Sequence, residues 1–298
     1  MTTRFAPTPS GYLHQGNAVN LAVTWLWARL EGGSIRLRID DLDQARVRPE
    51  YVEDVFVSLE WLGLDYDIGP MGPEDHERNF SQIHRVEEYQ KVLGQLWEEG
   101  RLFACDCSRK QIRAAHPAGL YTGRCRERGL DQEKPNTALR LRTDETLIRW
   151  EDLAQGKVQL QLSKVMPDFV VRRKDGIPAY QIASLVDDHT YGTTAFIRGA
   201  DLLESTAAQH VLAHQLGWDL FEQAECLHHP LLTDEKGEKL SKSAGASSLK
   251  HMRESGLMPS AIFQKVSSWL DLPQSASSAQ ELLQICQESA IDIRRIWA

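Results

Sequence analysis

Arg4–Asn17 reads RFAPTPSGYLHQGN, and this stretch decides the fold. It predicts a short strand, a tight turn and the opening of a helix. Pro7 and Pro9 fix φ and lack amide hydrogens, and with Ser10 and Gly11 they stop the strand. From Ala18 the sequence AVNLAVTWLWARL sets Ala18, Leu21, Ala22, Trp25 and Leu26 at the i, i+3, i+4, i+7 spacing of a buried helix face, and Gly32-Gly33 ends it. His14 and Asn17 therefore fall three residues apart at the helix start. A helix N-terminus offers unpaired N–H groups and the positive end of a dipole, and Gly16 lets a ligand approach the backbone, so the stretch is suited to cradle phosphate. On its own, a turn and helix with one histidine is more often plain structure.

A second stretch, Lys239-Leu240-Ser241-Lys242-Ser243, sets two ammonium groups among small hydroxyl residues after Gly237, a pattern that also fits a solvated lysine loop. In this order, GYLHQGN and KLSKS resemble the two ATP-binding motifs of class I aminoacyl-tRNA synthetases, the HIGH-type and KMSKS-type elements. RFAPTPSG, LRIDDLD, DFVVRRKDG, AYQIASLVDDH and IRGADLLEST resemble glutamyl-type members of that class, and the resemblance runs from residue 4 to 245. It implies an α/β fold with a Rossmann-type parallel sheet, an inserted zinc-binding, acceptor-like subdomain and a short helical C-terminal segment. The expected boundaries are 1–102 and 167–245 for the two halves of the nucleotide-binding domain, 103–166 for the insertion and 246–298 for the C-terminal segment.

Bulk properties agree. The chain has 298 residues with 42% hydrophobic content, enough to bury a core as one large domain or one domain with an insertion. There is no internal repeat, no apolar run of signal-peptide type and no stretch near the roughly 18 apolar residues of a membrane span, so a soluble cytoplasmic chain is expected. Five Cys, with Cys105 and Cys107 one residue apart, argue for reduced thiols or a metal rather than a disulfide framework. The net charge of -8 sits awkwardly with a nucleic-acid partner. Residues 101–150 nevertheless carry eleven basic and six acidic side chains, a local +5, which fits an RNA-facing patch as well as an ordinary charged surface.

Ser34–Ile39 alternates as a second strand, with Asp40, Asp41 and Asp43 at its carboxyl end, where ligands bind in open parallel sheets. Glu50–Leu62 reads as an amphipathic helix, and Ile83–Leu102 as a long one whose Tyr89, Val92, Leu93, Leu96 and Trp97 form a core face. In Phe103–Cys125, Cys105 and Cys107 are close enough to share a metal and Cys125 can add a third thiolate; Tyr121, His116 or water would complete a tetrahedron, and plain buried thiols fit equally. Asn136–Arg142 and Lys157–Val165 read as strands, and Asp168–Arg173 and Ala179–Val186 flank a turn at Lys174-Asp175-Gly176. Asp187, Asp188 and His189 read as a capped helix end, and His228 and His229, pointing to opposite faces of a strand, as structural.

The resemblance assigns roles. It implies a glutamate site formed by Arg4, Phe5, Ala6, Pro7, Thr8, Asp40, Tyr180 and Arg198, with the Tyr180 hydroxyl near the ammonium group and Arg198 paired with the side-chain carboxylate. Glutamyl-type members carry Glu where this chain has Asp40, one methylene shorter, at the residue that contacts the amino group. Short glutamyl-type members bind a structural zinc ion through the pattern of Cys105, Cys107, Tyr121 and Cys125. The implied chemistry is carboxylate attack on the α-phosphorus of ATP, which needs positioning and charge neutralisation rather than a protein nucleophile. His14, Asn17 and Gly16 are expected at the phosphates, Lys242 supported by Lys239 at the charge that builds on the triphosphate, and Mg²⁺ on ATP itself. Only 55 residues follow Ser243, too few for an anticodon-binding region. The short form resembles glutamyl-type proteins that activate glutamate without tRNA and pass it to queuosine in tRNA(Asp), here expected to act as a monomer away from membranes. The other readings are a minimal synthetase charging a tRNA acceptor end, a catalytically idle RNA-binding paralogue and another HxGH-type nucleotidyl transferase.

Overall fold

Strand β1 (Thr2–Phe5) runs through the proline-rich turn into helix α1 (Gln15–Leu30), the order expected from the opening stretch. The computed structural model describes residues 1–231 and 248–293, so Lys239 and Lys242 lie outside the described residues. Ten residues of α1 are buried, from Ala18 to Ala28, which makes it a central helix rather than a surface one. β2 (Ser34–Leu37) pairs parallel with β1, Thr2 opposite Ser34 and Phe5 opposite Leu37. Helix α2 (Pro49–Leu62) begins on a proline and ends where Gly63 adopts φ +68°, a conformation costly for any residue with a Cβ.

A short turn, α3 (Pro73–Asp75), precedes α4 (Val86–Glu98). The long helix expected over Ile83–Leu102 is shorter than its apolar spacing suggests. Its first turn is a 3-10 helix over Gln82–Arg85, Gly100 at φ +68° turns the chain away, and Leu102 opens β3 (Leu102–Cys105). α5 (Arg109–Ala115), β4 (Ala138–Leu141), β5 (Leu147–Asp152) and β6 (Gly156–Gln161) follow. The strand expected to reach Val165 stops at Gln161, because α6 (Leu162–Val165) turns Leu162 inward, to 2% exposure, against a later helix. β7 (Val170–Arg172) pairs with β4, which also pairs antiparallel with β3.

The second half runs α7 (Tyr180–Thr190), β8 (Ala195–Gly199), α8 (Leu203–Leu216), α9 (Asp219–Glu222) and β9 (Glu225–His229). β8 and β9 are parallel, and β9 meets β5 in parallel at Cys226 opposite Asp152. Thr194, just before β8, donates its N–H to the Thr2 carbonyl at 2.9 Å and accepts the Thr2 N–H on its hydroxyl. The β1–β2 pair therefore stands beside β8. The carboxyl ends of β1, β8 and β9 consequently open on one side, where open parallel sheets bind ligands. α10 (Leu249–Glu254), α11 (Ser260–Trp269) and α12 (Ala279–Glu288) follow, in the stretch expected to be helical. They share a core with α1, while α4, α7 and α8 bury a second core against β3, β4 and β7. Among the described residues no helix is long and apolar enough to cross a membrane.

Candidate functional site

The start of α1 is locked by its own side chains. The His14 Nδ1 accepts the Asn17 N–H at 3.3 Å, an N–H that also reaches the His14 carbonyl at 2.9 Å, and the Asn17 Oδ1 accepts the His14 N–H at 3.0 Å, a reciprocal side-chain cap. A ring nitrogen that accepts carries no proton, so this geometry assigns the His14 proton to Nε2. Gly16 is required by the same contact: a Cβ there would lie 2.8 Å from the imidazole Cε1. The sequence argument for Gly16 rested on ligand approach, whereas here it makes room for His14.

This helix start forms one wall of a cavity of about 620 Å³ at the carboxyl ends of β1, β8 and β9. Of the residues expected at the site, His14, Gly16 and Asn17 line it from α1, and Arg4, Ala6, Pro7 and Thr8 from β1 and its turn. Tyr180 and Arg198 line it too. Phe5 points into the core at 1% exposure. Asp40 lies behind the cavity, its two oxygens held by Arg38 at 2.6 and 3.1 Å. Burial, acting against Arg38, raises the Asp40 carboxyl above its ordinary value. Asn20 and His229 also line the cavity, Asn20 Nδ2 lying 3.1 Å from His229 Nε2, and sequence reasoning missed both. Asn20 sits one turn after Gly16 on the same helix face, which is a readable signal; His229 had none.

Arg198 is 3% exposed. Its Nη1 donates to Thr206 Oγ1 at 2.8 Å and to Gln209 Oε1 at 2.6 Å. Its Nε and Nη2 are buried with no hydrogen-bond partner, Nη2 lying 3.6 Å from Asp188 Oδ2. Nε and Nη2 together form one planar N–H edge of the guanidinium, the kind of edge that takes a carboxylate at two points. Burial lowers the Arg198 pKa, though a guanidinium stays charged at any pH of interest.

Beneath the cavity lies a network of buried charge that the sequence reading took for a helix cap. Asp187 and Asp188 sit within α7 and accept from arginines of other elements. Asp188 receives Arg4 Nε at 2.9 Å and Arg38 Nη1 at 2.7 Å. Burial opposes its charge, yet the guanidinium groups of Arg4, Arg38 and Arg198 hold its carboxyl down to about 2. Arg4 thus reaches the cavity already anchored.

The Cys105, Cys107 and Cys125 sulfurs converge, all within 4.8 Å of one another and all buried. The 3.5 Å between Cys107 and Cys125 Sγ is close to the roughly 3.7 Å edge of a tetrahedron with about 2.3 Å zinc–sulfur bonds. The Tyr121 hydroxyl packs into the same pocket and accepts the Cys125 N–H at 2.7 Å. Burial pushes the Cys107 thiol up to about 12, so a bound cation would have to deprotonate it. Arg128 Nη1 sits 3.2 Å from Cys125 Sγ, well placed to offset thiolate charge. The donor set and spacing fit a structural zinc ion, and His116 is not part of the cluster. Next to it lies a second cavity of about 850 Å³, lined by Arg109, Tyr121, Arg140, Arg173, Lys174 and Gln181.

Residues 1–269 match the family described as tRNA synthetases class I (E and Q), catalytic domain. The chain is 36% identical over 277 residues to the glutamate–tRNA ligase of Coprothermobacter proteolyticus, covering 88% of this chain and 56% of that protein. It is 42% identical over 240 residues to the glutamyl-Q tRNA(Asp) synthetase of Pseudomonas fluorescens, covering 80% of this chain and 75% of that protein. The crystal structure of the glutamate–tRNA synthetase from Elizabethkingia anophelis superposes with a TM-score of 0.81 at 26% identity, over 99% of this chain and 66% of that one. The chain thus spans about half the length of the glutamate–tRNA ligase and most of the glutamyl-Q relative. The helix-start cradle, the cavity at the strand ends and these matches lead to one conclusion: the chain belongs to the catalytic-domain family of class I glutamyl and glutaminyl tRNA synthetases.

Proposed function

We propose that this chain activates L-glutamate with ATP to glutamyl-adenylate without tRNA and then transfers the glutamate to queuosine in the anticodon loop of tRNA(Asp). The observation that carries the activation step is the Nε and Nη2 edge of buried Arg198, which makes no hydrogen bond and only a 3.6 Å approach to Asp188, on a residue lining the same cavity as the start of α1. A carboxylate satisfies that edge; glutamine's carboxamide would turn a donor toward it or leave a charge unpaired. Bound this way, the substrate's α-carboxylate is directed toward the α1 side, where the His14–Asn17 cap and the helix dipole favour the phosphates of ATP. Attack on the α-phosphorus then forms the mixed anhydride and releases pyrophosphate. Mg²⁺ comes with ATP, and Lys239 and Lys242 supply further positive charge.

Relatives named glutamyl-Q tRNA(Asp) synthetase, matched at 38 to 42% identity over 75 to 83% of their length, support the queuosine acceptor. So does the basic second cavity, whose Gln181 adjoins Tyr180 of the first and offers a nucleotide a way in beside the zinc-binding subdomain. The enzyme is taken to be a cytoplasmic monomer. The test is amino-acid-dependent ATP–pyrophosphate exchange with no tRNA, comparing glutamate, glutamine and aspartate, followed by transfer of labelled glutamate to queuosine-containing tRNA(Asp). Exchange with glutamate alone and label on that tRNA are the expected results. Exchange that starts only when tRNA(Glu) is added would transfer the reading to a minimal synthetase.

A further inference from the structure

Behind Arg198, three side chains from three elements line up. Asp152, the last residue of β5, is 1% exposed, and its Oδ1 takes the N–H groups of Ala154, Gln155 and His228. Its Oδ2 lies 2.5 Å from His228 Nδ1. His228, on β9, is fully buried, and its other ring nitrogen is 2.8 Å from Thr206 Oγ1 on α8. The same Thr206 oxygen accepts Arg198 Nη1 at 2.8 Å.

The direction of each hydrogen bond follows from the one before it. A carboxylate only accepts, so His228 Nδ1 must donate. In the neutral ring Nε2 then accepts, which obliges the Thr206 hydroxyl to spend its proton on His228 and to turn a lone pair to Arg198. Burial lowers the His228 pKa even against the pull of Asp152, in keeping with a neutral imidazole. With Gln209 Oε1 on its other hydrogen, Nη1 is fully occupied, which leaves Nε and Nη2, without hydrogen-bond partners, as the remaining edge of a residue that lines the cavity. The nearby Cys226 invites a cation-site reading of the cluster with Asp152 and His228. Both ring nitrogens of His228 are already engaged, however, and the Cys226 thiol, raised by burial, points its hydrogen at the Glu151 carbonyl.

We propose that Asp152 and His228, acting through the Thr206 hydroxyl, are positioning residues that fix the rotation of the Arg198 guanidinium and thereby set the preference for a substrate with a side-chain carboxylate over its carboxamide. The proposal rests on the glutamate reading above. A guanidinium free to rotate would offer a single N–H to either amino acid. Held from behind, it offers a two-point edge that only the carboxylate satisfies without leaving a buried group unpaired.

Thr206→Val keeps the volume and removes the hydroxyl, and Thr206→Ser keeps the hydroxyl. In tRNA-free ATP–pyrophosphate exchange, Thr206→Val is expected to raise the glutamate KM at least tenfold and to cut the glutamate-over-glutamine ratio of kcat/KM about tenfold. The ATP KM should stay within twofold, and Thr206→Ser should restore both parameters to within threefold of wild type. Unchanged glutamate KM and selectivity, or glutamate and ATP KM values rising together, would overturn the proposal. A second measurement needs no variant: NMR of the wild-type protein labelled with ¹⁵N in histidine should show His228 protonated on Nδ1 only, and its resonances should move when L-glutamate is added. A His228 protonated on Nε2 refutes the relay whatever the kinetics show. Wild-type protein that exchanges with no amino acid refutes the functional reading instead, and the histidine spectrum still decides the relay.

Discussion

Arg85 and Asp187 are separated by 102 residues in sequence and joined by a two-point ion pair, Nε to Oδ1 at 2.8 Å and Nη2 to Oδ2 at 3.0 Å. The same carboxylate accepts the Tyr89 hydroxyl at 2.8 Å and Gln82 Nε2 at 2.9 Å, and it is fully buried. It pins the start of α4 to α7, the helix that carries Tyr180 into the cavity. Removing one partner of such a pair leaves an uncompensated buried charge, which costs about 3 to 5 kcal/mol. Asp187→Ala should therefore lower the urea midpoint of unfolding by several times more than Tyr89→Phe, which loses one hydrogen bond at about 1 kcal/mol. Equal effects in equilibrium denaturation would show that the pair contributes no more than an ordinary contact.

Asp188 ties stability to acidity. Its carboxyl titrates at about 2 in the folded protein and near 4 in the unfolded chain. The unfolded state binds more protons between those values, so the contribution is fully present above about pH 4 and is lost as pH falls toward 2. The difference corresponds to about 2 kcal/mol. Unfolding free energies measured from pH 6 down to pH 2.5 should fall by about 1.5 kcal/mol on account of this group, and Asp188→Asn, less stable at neutral pH, should show a shallower decline. A variant with the wild-type slope would place the acid sensitivity elsewhere.

Arg198→Lys keeps the charge and loses the planar edge. Asp188 retains Arg4 and Arg38, so thermal stability should change little. The kcat/KM for glutamate in exchange assays should drop by about a hundredfold or more, as expected when a two-point contact worth about 3 kcal/mol becomes a single one. Near-normal glutamate kinetics in this variant would rule out a carboxylate partner for Arg198.

The cysteine cluster should hold about one zinc ion per chain in elemental analysis of protein purified without chelator. Chelation or Cys125→Ser is expected to lower the Tm by several degrees, while the glutamate KM of the protein that stays folded remains within about twofold of normal. A rise in that KM parallel to metal loss would give the ion a part in substrate binding rather than in structure.

What could be read from the sequence was what is local. His14 and Asn17 cap α1 across three residues, and the Cys105, Cys107 and Cys125 spacing brings the thiols to one point, because short stretches of chain restrict where their side chains can go. The buried charges were illegible for the opposite reason. Asp188 collects Arg4, Arg38 and Arg198 from three stretches far from it in sequence, and nothing in the sequence around Asp187-Asp188 distinguishes such a hub from an ordinary helix end. Tyr89 was rightly placed in the core by its spacing, yet the spacing says nothing of the hydroxyl that meets Asp187. Two adjacent histidines that face opposite sides of β9 read as structural from sequence, and that very alternation sends His229 to the cavity and His228 to the Thr206 hydroxyl that holds Arg198. Leu162–Val165 departs from strand geometry because tertiary packing on α8 outweighs local preference.

The company that α1 keeps has a bearing on how the chain is made. The helix is apolar around most of its circumference, and part of its covering is Ile262, Phe263 and Val266 of α11 with Leu282 and Ile285 of α12, some 230 residues further on. At synthesis rates of about 5 to 20 residues per second, α1 would wait roughly 10 to 50 seconds after leaving the ribosome before those helices exist. For that interval the segment bearing Trp25, Leu26 and Trp27 is a sticky nascent peptide. Slow translation late in the message, or a shortage of chaperones, should therefore show first as aggregation of incomplete chains rather than as a fault in the finished protein.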